Sequence, residues 1–135
     1  MRIIEHNGLR LAVHLTKSDR QQGLNFYSDD GDFVQVGIWG YQKGKSLQAH
    51  IHNEVRRDSD RTQEVIYVIQ GSAKSTIYTE DEQLLEEVTL EAGDVLILLR
   101  GGHGYEILDN DTYILEVKNG PYPGAEVDRR RLRSA

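Results

Sequence analysis

The chain has 135 residues, 38% hydrophobic and 28% charged, the size and balance of one globular domain that removes ~65–70% of its unfolded surface from water. It contains no cysteine, which excludes disulfides and thiolate metal sites, so any metal must be held by imidazole and carboxylate. The formal net charge of −6 argues against nucleic acid as the main partner. No run approaches the ~20 apolar residues of a membrane span, and the N-terminus lacks a signal-peptide pattern. No membrane partner is therefore expected, and the cytoplasm is the expected location.

Short apolar runs separated by turn signals dominate, which is the pattern of strands. Asn7-Gly8 between Ile3-Ile4 and the run 9–13 predicts a tight N-terminal hairpin. The cluster 28–32 is a turn-rich break. In 33–41, Val34, Val36 and Ile38 alternate with Gln35 and Gly37, the period of a half-buried strand. Gly44 ends the next turn, and 47–52 reads as a short strand. Residues 53–61 are polar, charged and aperiodic, hence a loop.

The run 64–70 is rich in β-branched and aromatic residues and predicts a strand. Gly71 turns the chain into a strand at 73–78, and 80–82 is another turn. The segment 84–90 has a locally helical composition, but its shortness between two turn signals favours a strand. The run 95–99 is nearly all apolar and suits a buried strand. Gly101-Gly102-His103-Gly104 reads as a loop with unusual backbone freedom. Residues 105–108 and 112–117 read as a last hairpin around 109–111. About ten short strands and little helix indicate an all-β antiparallel sandwich or barrel. Arg129, Arg130, Arg131 and Arg133 make the end of the chain basic, as a solvated or interface-packed tail or, alternatively, an anion- or nucleic-acid-binding one.

His50 and His52 stand at i and i+2 on the expected strand, so both imidazoles project to one face, a spacing that suits two cis metal ligands. Two histidines so placed are, taken alone, more often a polar surface pair. Glu64 opens an apolar strand and shares its face with Ile66 and Val68, where an unpaired carboxylate would be costly. It is either a ligand or a strand-mouth residue in water. His103 lies among glycines that let the backbone approach a metal or ligand, or is simply a loop histidine. His6 and His14 have no partner spacing and read as structural.

These residues carry a resemblance to the cupin superfamily. Gly44 is followed by five residues and His50-x-His52, and Glu64 by six residues and Gly71, which matches both halves of the family's first motif. The spacer between them holds eleven residues, 53–63, where the family has a much shorter one. The second motif is looser: Gly93 begins it, Gly101 matches its second glycine, His103 supplies its histidine one position early, and Leu99 and Ile107 replace its proline and asparagine. The end of the chain, 115–124 with Asp128 and Arg129, resembles the tail of cupin-type mannose-6-phosphate isomerases and equally that of uncharacterised small cupins.

The resemblance implies a single cupin domain over 1–135: a jelly-roll barrel at about 33–118, the N-terminal hairpin 1–15 and a tail 119–135. It implies one divalent ion (zinc, nickel, iron or manganese) on His50, His52, Glu64 and His103, and a homodimer. Open coordination positions would suit Lewis-acid isomerisation or epimerisation of a small polar metabolite such as a sugar or phosphosugar. An iron-dependent dioxygenase and a non-catalytic metal-dependent binding module are the alternatives. Glu64, Gln48 and Tyr105 are the candidate catalytic residues, the last two sharing parity with the histidines. Arg56, Arg57 and Arg61 on the long loop would clamp a phosphate or carboxylate. Pore-lining polar residues and a solvated charged loop are the plain readings of these two groups.

Overall fold

The computed structural model describes residues 1–133. Ten strands appear among them: β1 Arg2–His6, β2 Leu9–Leu15, β3 Gly23–Phe26, β4 Gly37–Gly40, β5 Glu64–Gln70, β6 Ser72–Tyr78, β7 Leu84–Glu91, β8 Val95–Leu98, β9 Gly102–Ile107 and β10 Tyr113–Lys118. A short 3-10 turn at Lys17–Asp19 and one helical turn, α1 Ala125–Asp128, complete the elements. The all-β expectation holds. No helix among the described residues is long and apolar enough to cross a membrane.

The strands form three antiparallel ladders, in the orders β1-β2-β8-β5-β10, β7-β6-β9 and β3-β4. None closes on itself. Alternation along the strands decides how the two larger sheets meet. Glu64, Ile66 and Val68 of β5 are buried while Tyr67 and Ile69 are exposed, and Ala73, Ser75 and Ile77 of β6 are buried between half-buried neighbours. The buried rows of both sheets share one core, containing Ile66, Val68, Leu96 and Leu98 from the first and Ile77, Val88 and Leu90 from the second. Each such side chain contributes ~1.5–3 kcal/mol by leaving water. The outer face of the five-stranded sheet is covered in part by a second cluster, where Val13, Leu15, Ile97 and Leu99 meet Val34 and half-buried Tyr27, Val36 and Ile38.

The Asn7-Gly8 turn takes positive φ at both residues, 51° and 76°, as the tight hairpin requires. The helix-like segment 84–90 is β7, because pairing along β6 buries Val88 and Leu90 and overrides local preference.

Four expectations differ from the fold. The strand expected at 33–41 is reduced to β4, because side chains replace its ladder: Gln63 Oε1 accepts from the Phe33 and Val34 amides, and Ser28 Oγ from that of Val36. The strand expected at 47–52 is absent. All of residues 41–60 are exposed and carry no regular structure beyond one turn, and their backbone pairs with no strand. The glycine-rich stretch 101–104 is a loop only at Gly101, and His103 lies within β9. Lastly, β9 and β10 do not pair as a hairpin. β9 pairs with β6 and β10 with β5, so the turn between them crosses from one sheet to the other. Both strands have a free edge.

Candidate functional site

The start of β5, the end of β10, the start of β9 and the end of β6 meet at one end of the sandwich. They line a cavity of about 1470 Å³, which the tail 125–132 borders as well. Register explains which side chains reach it. On β9, His103 pairs with Ile77 and Tyr105 with Ser75, so both take the inner face. On β10, Lys118 pairs with Glu64 and Glu116 with Ile66, again on the inner face.

His103 and Glu64 are thereby brought together across the two sheets, with Nε2 3.1 Å from Oε2. Oε2 is buried, and no well-formed hydrogen bond reaches it. Lys118 Nζ lies 3.6 Å from the other carboxylate oxygen and 3.1 Å from Glu116. The His103 imidazole, aided by Lys118, holds the Glu64 carboxyl below the usual range against the opposing effect of burial. The Tyr105 ring lies 5.6 Å from that of His103. Burial, and then the charges of Glu64 and Glu116, push its phenol upward, so it stays protonated through the physiological range and can donate a hydrogen bond.

The remaining expected site residues lie elsewhere. His50 and His52 sit side by side, rings 5.0 Å apart and edge to face, on the exposed segment 41–60. Gln48 is exposed on the same segment, and its carbonyl lies 3.2 Å from His50 Nδ1. Among the described residues, no group of three or more His, Cys, Asp or Glu side chains comes close enough to hold an ion. Arg56 pairs with Asp58 at 3.2 Å, and Arg57 donates to the Val55 carbonyl, both outside the cavity. Arg61 does line the cavity, held 2.7 Å from Asp60 and stacked on Phe33 with its guanidinium 5.2 Å from the ring centre.

The cavity also contains residues that sequence reasoning passed over. Lys118 and Glu116 were visible only as alternate positions of an ordinary strand. The tail arginines were noted, but nothing in the sequence placed them beside His103.

A metal has a partial fit to this arrangement. Nitrogen and oxygen donors bound at ~2.0–2.2 Å to one ion lie ~3 Å apart when cis, which is the separation of His103 and Glu64. The buried Oε2 is the kind of oxygen that a cation would satisfy. His14, by contrast, is structural. Its Nε2 lies 2.9 Å from Asp94, which also accepts from the Glu91 amide and so fastens the β7–β8 turn.

No family model, curated protein or solved structure matches this chain.

Proposed function

We propose that the chain is a metal-dependent cupin-type protein acting on a small polar metabolite, with Glu64 and His103 as the preformed half of its metal site. The approach of these two side chains at 3.1 Å, with a buried oxygen that no well-formed hydrogen bond reaches, carries the reading. His50 and His52 supply the other half when segment 41–60 folds onto the cavity and closes the barrel. Three observations support that closure. The segment exposes Leu47, Ile51 and Val55, which gain by burial. Both β9 and β10 offer free edges to a further strand. The cavity exceeds the ~300–1,000 Å³ of an ordinary small-molecule site, leaving room for protein as well as ligand.

A bound divalent ion would polarise a carbonyl or hydroxyl group, the chemistry of aldose–ketose isomerisation or epimerisation. Tyr105, kept protonated, donates to a ligand oxygen. Lys118 adds positive charge on the far side of Glu64 and fixes that carboxylate in place. Segment 41–60 excludes water once closed.

Elemental analysis of protein purified without chelator tests the site. About one divalent ion per chain is expected, lost in both His103→Ala and His50→Ala while circular dichroism keeps the β signature. Metal retained in both variants would overturn the site. Solvent deuterium entering C2 of aldoses or aldose phosphates tests the reaction, and no incorporation across that panel by metal-loaded protein would exclude isomerisation.

A further inference from the structure

The tail forms one wall of the cavity and is pinned to both large sheets. Thr62, just before β5, donates its hydroxyl to Asp128. Glu82, in the β6–β7 turn, accepts from the Arg130 guanidinium and, at 2.8 Å, from the Arg133 amide. Leu132 covers Gly102 at the start of β9, so closely that a Cβ there would fall 2.9 Å from its side chain. These pins hold the tail against the sheets and place Arg129 and Arg131 at the mouth.

Six cationic side chains line the cavity: Arg61, Arg100, Lys118, Arg129, Arg130 and Arg131. Four are already paired, Arg61 with Asp60, Arg100 with Glu80, Lys118 with Glu64 and Glu116, and Arg130 with Glu82. Arg129 and Arg131 have no carboxylate within ion-pair distance among the described residues. Glu126 and Asp128 are the two tail carboxylates without an ion-paired cation, Glu126 exposed and Asp128 held by the Thr62 hydroxyl. Two guanidinium groups outside any ion pair thus stand at the rim of the cavity that holds His103 and Tyr105.

We infer that Arg129 and Arg131 are a recognition element for the oxyanion of the ligand, a phosphate or carboxylate group on a small molecule. Guanidinium forks match such oxyanions bidentately, and a tail already pinned to the sheets reduces the ordering cost of the contact. The anion sits at the tail and the rest of the ligand extends toward His103, Tyr105 and Glu64. This assigns the anion contact to the tail rather than to Arg56 and Arg57. The inference rests on the cavity being the ligand site proposed above.

Calorimetric titration with inorganic phosphate and with malonate, each with and without EDTA, tests it. Wild-type protein should bind at least one probe, with affinity falling about tenfold or more in Arg129→Gln/Arg131→Gln. A charge-matched Arg2→Gln/Lys17→Gln variant, at exposed positions outside the cavity, should keep its affinity. Unchanged binding in the tail variant, an equal loss in the control variant, or no binding of either probe at ~10 mM would each overturn the inference. The EDTA arm separates it from the metal reading. Protein that carries no metal but binds phosphate through the tail leaves this inference standing, whereas metal-loaded protein whose phosphate affinity ignores the tail refutes it alone.

Discussion

His103 Nε2 lies 3.1 Å from Glu64 Oε2, although the two residues stand on different sheets and only the inward faces of β9 and β5 bring them together. In chelator-treated protein, His103→Ala leaves a nearly buried carboxylate with Lys118 alone, so a loss of about 1–3 kcal/mol is expected by urea denaturation. Glu64→Gln removes the charge itself and should cost less. In the double variant the two losses should not add. Strict additivity would mean that the pair does not interact.

Gly101 turns the chain into β9 with φ +73°, and a Cβ there would fall 2.2 Å from the Tyr78 carbonyl oxygen. Backbone faces backbone, so a side chain has no room to escape. Gly101→Ala is expected to destabilise by at least ~1–3 kcal/mol, read as a lower melting temperature. A melting temperature equal to wild type would contradict this close approach.

Ser75 is fully buried on the inner face of β6, opposite Tyr105, and its hydroxyl has no hydrogen-bond partner. Ser75→Ala removes the unsatisfied group and little volume. The variant should match or exceed wild type in stability, by up to ~1–2 kcal/mol in urea denaturation. A clear destabilisation would reveal a partner for the hydroxyl.

The clasp on the tail is a carboxylate, and its pH dependence has a definite sign. The Arg133 amide and then the Arg130 guanidinium lower the Glu82 carboxyl from its ordinary value of 4.5. The clasp is therefore complete above pH 4.5 and is lost as pH falls through the lowered value. The Arg133 amide resonance should shift with a midpoint below 4.5, and the transition should vanish in Glu82→Gln. At pH 7.5 the same variant should be cut faster by trypsin after Arg129 to Arg131. A midpoint at or above the ordinary value would refute the clasp.

Segment 41–60 is exposed throughout, so its amides should exchange quickly in metal-free protein. Zinc added at one equivalent should slow exchange over 47–55 by about tenfold or more in wild type and leave a His50→Ala/His52→Ala variant unchanged. Equal exchange with and without metal would separate the two histidines from the cavity.

Elements whose own residues encode their partner or face were legible in order. Asn7-Gly8 specifies a turn that only positive φ can make, and the hairpin formed there as expected. The β-branched run from Val65 to Ile69 and the apolar run from Val95 to Leu98 have one stable environment, a sheet packed on a core, and both are strands. The face shared by Glu64, Ile66 and Val68 followed from a period of two, whereas His103 shares a face with Tyr105 only because β9 begins at Gly102 and not after the glycines.

Where a residue's surroundings come from distant chain, the local pattern was not enough. Residues 33–36 alternate like a strand, yet Gln63 and Ser28 side chains take the amides of Phe33, Val34 and Val36, and the alternation does not announce those acceptors. The spacing of His50 and His52 describes a strand face only if another strand lies beside it, and none does in this conformation. Local sequence thus determined the β class, the core rows and the inward direction of Glu64, because alternation and turn chemistry are properties of neighbouring residues. Tertiary structure alone decided that Glu64 meets His103, that Lys118 joins them and that the tail arginines border the same cavity. Those contacts depend on sheet pairing and on pins such as Glu82 and Thr62, which couple residues far apart in the chain.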